Sequence, residues 1–278
     1  MHASLWIGES SSKVRTIRPS LVPKEASRRD TDMAWYAYCL TEQQAFLPGP
    51  RSRRPALIEN LHGISESEVY AYPSGDFAVV VSDFGGVELD QKSILEHARV
   101  VSECFRTTTV LPFRFGTVFH NDEELRRAVR ANRKAFVATV ERLRGKSEMH
   151  LKLLIEDGSI PTAGNGKGDD KVVHAAVGGE YLSQLKVRAV RDRERQSRAR
   201  TLSVQVQRLF NPLEADVTCK KDSGRIVIDI AHLIPSQGVE VYQNRYTIAT
   251  RQLKGCELLV SGPWPPYHFM PAKLRTVS

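Results

Sequence analysis

The chain has 278 residues, 41 % hydrophobic and 26 % charged. These are ordinary proportions for a globular protein of one or two domains, and they exclude global disorder. Lys and Arg outnumber Asp and Glu by 40 to 32, a net charge of +8, which raises nucleic acid or an acidic membrane surface as a partner.

Residues 1–32 are polar, charged and poor in aromatic residues, and are expected to be a disordered extension. Met33 is a candidate natural start. No apolar run approaches the ~18–20 residues of a membrane span, and the first residues lack the apolar core of a secretory signal, so a cytoplasmic protein is expected. Cys39, Cys104, Cys219 and Cys256 each stand in an apolar stretch, far apart in sequence. That spacing excludes a CxxC motif and predicts buried free thiols in a reducing compartment.

From Ala34 onward strand and helix signals alternate. Ala34–Leu40 is short and aromatic, a buried strand. Residues 41–67 read as irregular, with a short strand near Ala56–Glu59. Val69–Tyr72 and Phe77–Ser82 flank Pro73-Ser74-Gly75-Asp76, a hairpin signal. Asp90 caps a helix to about Phe105, with Ile94, Ala98, Val101 and Phe105 on the expected buried face. Thr108–Phe113 is a strand. Asn121 starts one helix ending at Gly145, with Glu124 completing a capping box. Its apolar stripe is Leu125, Val129, Phe136, Val140 and Leu143.

In the second half, Met149, Leu151, Leu153 and Ile155 alternate with Glu148, His150 and Lys152, which predicts a strand with one wet face. Residues 157–171 are a Gly-rich linker, followed by a helix from about Val172 to Phe210. Strands are predicted at Glu214–Lys221 and Arg225–Leu233. A helix opening at Pro235-Ser236 follows, with Val239, Tyr242, Tyr246, Ala249 and Leu253 buried, and then a last strand at Cys256–Ser261. The β-α-β-β-α-β order over 146–262 is the ferredoxin-like split arrangement, and the first half reads as a degraded version of it. The expected class is α+β: two tandem α/β domains, each an antiparallel sheet with helices on one face. The expected division is an extension (1–32), an N-terminal domain (33–120), a connecting helix (121–145) and a C-terminal domain (146–278).

Chemistry is sparse. The chain holds no HExxH or GxSxG pattern and no GxxxxGK[ST] phosphate loop, and Gly164–Gly168 lacks the spacing of one. The histidines are scattered, and His150 reads as a solvated surface residue. No catalytic, cofactor-binding or metal set is assigned. The densest charge run, KVRAVRDRERQSRAR over 186–200, reads as a helical stretch facing water. Its basic residues Lys186, Arg188, Arg191, Arg195 and Arg198 are the candidate contacts for an acidic partner. The ferredoxin-like order also raises an RNA-binding module as the alternative, but Phe113–Phe119 departs from the RNP1 pattern. In VSGPWPPYHF (260–269), Pro263 and Pro266 have PxxP spacing. The preceding apolar run makes a closing clasp the better reading: Gly262 and Pro263 end the strand, and Trp264, Tyr267 and Phe269 fold back over the domain.

Four stretches together resemble the gas vesicle protein F/L family (GvpL/GvpF): MAWYAYCL at 33–40, TVLPFRFGTVF with the following NDEELRRAV, GKSEMHLKLLI, and VSGPWPPYHF. They carry Pro112, Arg114, Phe115 and Gly116 in one motif and Gly262, Pro263, Trp264 and Pro265 in another. The resemblance covers about 33–270. It implies a non-enzymatic accessory protein needed to form gas vesicles, with two α/β domains of ferredoxin-like character and no cofactor. It further implies contacts with the small, hydrophobic shell protein and with other accessory gas vesicle proteins, in the cytoplasm and at the vesicle.

Overall fold

The computed structural model describes residues 19–20, 34–47, 49, 54–156, 177–222, 225–253 and 255–271. The chain separates into two compact units, one running to Arg142 and one spanning Leu143–Met270. Each is built on an antiparallel sheet with helices, the α+β class expected. Among the described residues no helix is long and apolar enough to cross a membrane.

The first sheet holds β1 (Pro19–Ser20), β2 (Ala34–Glu42), β3 (Ala56–His62), β4 (Glu68–Ser74), β5 (Phe77–Phe84), β6 (Val110–Pro112) and β7 (Val118–Phe119). Its order is β1-β3-β4-β5-β2-β6, with β7 also pairing β2. Pro19 and Ser20 lie in the stretch expected to be disordered, yet they pair with Ile58 and Leu57; the rest of residues 1–32 lies outside the described residues. A bulge in β2 between Ala37 and Cys39 puts Tyr38 and Cys39 into the same core as Tyr36. Helix α1 (Gln91–Thr107) packs there through Val100, Val101 and Cys104. Its start is a capping box between Asp90 and Ser93.

The stripe expected on α1 is rotated. Ser93, Glu96, His97, Val100, Val101 and Cys104 are buried, while Ile94 and Ala98 face outward and Leu95 is 68 % exposed. Polar partners explain the rotation. His97 Nδ1 lies 3.0 Å from the Tyr36 hydroxyl, and Glu96 accepts from the Ser65 N–H at 3.1 Å. Buried polar groups that find partners can occupy positions that apolar residues would otherwise fill.

The opposite face of the same sheet is also covered. The expected connecting helix is two helices, α2 (Asp122–Ala131) and α3 (Arg133–Leu143). They part at Asn132, whose side-chain amide donates to the Ala128 carbonyl at 2.9 Å and so competes with the helical ladder. All five predicted stripe residues are buried. Trp35 Nε1 donates to Asp122 at 2.7 Å, the Arg126 guanidinium lies 5.3 Å over the Tyr72 ring, and Phe77 meets Phe136 edge-on. This unit therefore carries helices on both faces, where one helical face was expected. The capping arrangement also shifts by one residue: Asn121 accepts from the Glu124 N–H, but Glu124 accepts from His120.

The second sheet consists of β8 (Lys146–Glu156), β9 (Glu214–Asp222), β10 (Arg225–Pro235) and β11 (Glu257–Trp264), in the order β11-β8-β10-β9. With α4 (Val177–Phe210) after β8 and α5 (Val239–Gln252) after β10, this is the ferredoxin-like arrangement the element order predicted. One face is apolar: Met149, Leu151, Leu153 and Ile155 of β8 and Ile226, Ile228 and Ile230 of β10 pack with Val206 and Phe210 of α4 and Tyr242 and Ala249 of α5. The linker expected at 157–171 lies outside the described residues.

The cysteines divide. Cys39 and Cys104 are buried as neighbours between β2 and α1, Cys256 is part-buried, and Cys219 on β9 is exposed, contrary to the expectation of four buried thiols. Cys219 points to the core side of its strand, but that strand is the sheet's edge, where cover is thin.

Two tests follow from the packing. Gly63 approaches Tyr38 so closely that a Cβ would sit 2.2 Å from the hydroxyl oxygen, while Ser65 and Glu66 after it hold left-handed backbone angles. Gly63→Ala should cost about 1–3 kcal/mol in denaturant unfolding. Each unit also buries a neutral histidine against a tyrosine hydroxyl, His97 with Tyr36 and His232 with Tyr242 (2.8 Å). Burial lowers both histidines to about 4 from 6.5. The unfolded chain takes up these protons near pH 6.5 and the folded chain only near 4, so stability is present above 6.5 and falls as the pH drops through this window. Each histidine contributes up to roughly 3 kcal/mol to that loss. Unfolding free energies measured from pH 7 to 4 should show it, and His97→Gln and His232→Gln should each flatten the slope.

Candidate functional site

The first sequence motif closes the α1 side of the first unit. Pro112 is buried at the end of β6, opposite Cys39. Arg114 is exposed, and its carbonyl caps the turn by accepting from the Thr117 N–H and hydroxyl. Gly116 donates its N–H to the Tyr36 hydroxyl at 3.0 Å, and Phe115 stands edge-on to both Tyr36 and His97 while remaining partly exposed. Burial pushes the Tyr36 hydroxyl up to about 12 and raises Tyr38 as well. With His97 lowered, these groups stay neutral at physiological pH. The network orders the core and holds Phe115 at its margin against Tyr36 and His97.

The second motif is built on β11. A bulge separates Ser261 from Trp264, and the Gly262–Pro263 bond is cis. Gly262 has φ 122°, and a Cβ there would sit 2.9 Å from the Glu148 carbonyl and from Met149 Sδ, so the position requires glycine. The strand runs through Pro263 to Trp264, beyond the end expected at Gly262. Pro265, Pro266 and Phe269 are buried, whereas Trp264 is 43 % exposed and Tyr267 is also exposed. The clasp reading thus holds for Phe269, and Trp264 and Tyr267 turn outward instead. The Trp264 indole N–H donates to Ser261 Oγ at 3.2 Å.

Beneath this segment the structure joins residues far apart in the sequence. Glu148 and His150 alternate onto the same face of β8, and both meet His268. The Glu148 carboxylate accepts from the His268 N–H at 2.8 Å, lies 2.8 Å from His268 Nδ1, and contacts His150 Nε2. The two imidazoles are 4.8 Å apart. In the sequence His150 reads as a solvated surface residue, and His268 is one of the scattered histidines. The signal for this cluster was the Glu148-x-His150 alternation on the wet face, with a third histidine in the terminal motif.

The same face of the sheet centre bears Lys152, paired with Asp229 at 3.7 Å, and Leu154, Val227 and Ala231. A nucleic-acid platform on this fold needs stacking aromatics at such positions; none stands there.

On α4, Lys186, Val190, Arg193 and Glu194 are exposed. Arg198 is half-buried, with its guanidinium beside Gly255 and Cys256. The side chains of Arg188, Arg191 and Arg195 lie outside the described residues. At the sheet's edge, β9 is paired, among the described residues, only by β10, and is exposed along most of its described length.

Trp264 and Phe269 of the terminal motif separate experimentally. Phe269→Ala should cost about 3–5 kcal/mol of stability. Trp264→Ala should stay within roughly 1 kcal/mol, with both measured by denaturant unfolding of the full chain.

A family model described as gas vesicle synthesis protein GvpL/GvpF matches residues 34–271. Gas vesicle protein L of a Streptomyces species is 27 % identical over 259 residues, covering 86 % of this chain and 93 % of the relative. The crystal structure of GvpF from an Anabaena species superposes with a TM-score of 0.67 at 15 % identity, over 87 % of this chain and 97 % of the other. That of GvpF from Microcystis aeruginosa gives 0.63 at 18 % identity, over 86 % and 99 %. These two likenesses establish a shared fold. With the family match spanning nearly all of both units, the chain belongs to the GvpL/GvpF family of gas vesicle synthesis proteins.

Proposed function

We propose that the protein acts in gas vesicle formation by binding, without catalysis of its own, the small hydrophobic shell protein and other accessory gas vesicle proteins, in the cytoplasm and at the vesicle. The observation that carries this reading is β9, nine residues long and, among the described residues, hydrogen-bonded on one side only. A shell subunit awaiting incorporation exposes apolar surface and unpaired strand edges, and such edges aggregate unless covered. Strand addition to β9 supplies main-chain hydrogen bonds that do not depend on the guest's sequence. Glu214 and Asp216 at one end of the strand and Lys220 at the other set the direction of docking by charge. The run Lys186, Arg188, Arg191, Arg195 and Arg198 is the second proposed contact, suited to an acidic accessory partner.

The test is capture of co-expressed shell protein by the full chain. Consecutive strand N–H groups point to opposite sides, so of Thr218→Pro and Cys219→Pro one removes a free edge donor and the other a ladder bond to β10; the melting temperature tells which. The variant that keeps its melting temperature should capture the shell protein at least about tenfold more weakly. Lys186→Glu with Arg193→Glu should weaken accessory-protein capture and its salt dependence. Undiminished capture by all of these variants overturns the reading.

A further inference from the structure

We propose that Glu148, His150 and His268 form a binding site for a divalent transition metal of the zinc class, which fastens the C-terminal segment to β8. The three candidate ligand atoms lie within 4.8 Å of one another. Two nitrogens and one carboxylate oxygen with room for water are a donor set that zinc and its neighbours take, whereas calcium and magnesium prefer oxygen alone.

The carboxylate is oriented for this task. Oε2 accepts the His268 backbone N–H at 2.8 Å, while Oε1 faces both His150 Nε2 and His268 Nδ1. The backbone bond holds the carboxylate from behind, as outer partners commonly hold metal ligands, and leaves Oε1 as a single ligand atom. A cation about 2.0–2.2 Å from each donor needs them about 3.3 Å apart. From the 2.8 Å that separates Oε1 from His268 Nδ1, that is an opening of about half an ångström for that ring, and His150 Nε2, which lies closer to Oε1, must withdraw further; both rings are partly exposed and free to rotate.

Burial is graded in the same direction. The Glu148 side chain is 1 % exposed, and the His150 and His268 side chains are 39 % and 43 % exposed. The anion lies at the bottom and the imidazoles at the mouth, so an ion enters from solvent between the rings and keeps water on its outer side. A buried carboxylate demands a compensating positive charge. Ring N–H groups meet part of that demand. A divalent ion meets it fully, and each ring that donates to Oε1 gives up that proton to solvent when the metal binds. Glu148 and His150 are fixed by strand β8, while His268 lies 120 residues from Glu148, so the ion closes a long loop of chain.

The experiment uses the untagged full chain stripped with chelator, then titrated with zinc chloride and with cobalt chloride. One equivalent should bind, raise the melting temperature by several degrees, and in the cobalt form produce the visible absorption of a four- or five-coordinate nitrogen–oxygen site. His150→Gln and His268→Gln should each weaken zinc binding by at least about 100-fold while keeping the metal-free melting temperature and circular dichroism. Glu148→Gln alters a buried charge and can unsettle the fold, so the histidine variants carry the test. Zinc binding weaker than ~1 mM, or equally tight binding by the His150→Gln/His268→Gln double variant, overturns the proposal and leaves the cluster a hydrogen-bonded clasp.

Discussion

Alternation along a strand sends neighbouring side chains to opposite faces of a sheet, and the two units differ in what becomes of the second face. In the first, β2 sends Trp35 one way and Tyr36 the other, and both meet helices. That sheet is enclosed, and its charges serve to seat α2. In the second, the apolar face takes both α4 and α5, while the opposite face carries Glu148, His150, Lys152 and Asp229. Polar residues there need solvent, each other or a ligand, which is why the clustered ionisable groups fall in this unit.

The buried tyrosine–histidine pairs show the same economy in both units, by opposite routes. In one the helix brings the histidine and the strand the tyrosine; in the other the roles are exchanged. Each pair joins a sheet to the helix above it by a directional bond within an otherwise non-directional core. Such a bond fixes one rotational setting of the helix, and on α1 that setting places Ile94 and Leu95 outside.

Much of this was legible in the residues. The strict alternation from Met149 to Ile155 and the isoleucines of β10 led to the right strands, the right faces and the ferredoxin-like order, because burial on one side of a sheet writes a period of two into the chain. The α1 stripe departs from its apolar spacing because that spacing does not encode hydrogen-bond partners: Glu96 and His97 go inside where Ser65 and Tyr36 meet them. The single predicted helix after Asn121 failed at Asn132, where local competition for one carbonyl outweighed a continuous stripe. The Glu148–His150–His268 cluster was invisible for a different reason. Its members are joined by the return path of the chain, and nothing in local sequence encodes which distant residue closes over a strand. The terminal aromatics divide in the same way: Trp264 and Phe269 look equally apolar, and only the bulge after Ser261 decides which of them turns inward.

The placement of Cys219 has a practical consequence. It is the one exposed thiol among the four, and it lies in the middle of the edge strand β9. Cys39 and Cys104 are sealed in the other unit. A fluorophore or spin label attached under mild conditions would therefore go first to the strand where a guest would dock. The molecule carries its own reporter for edge occupancy, with no residue added or removed.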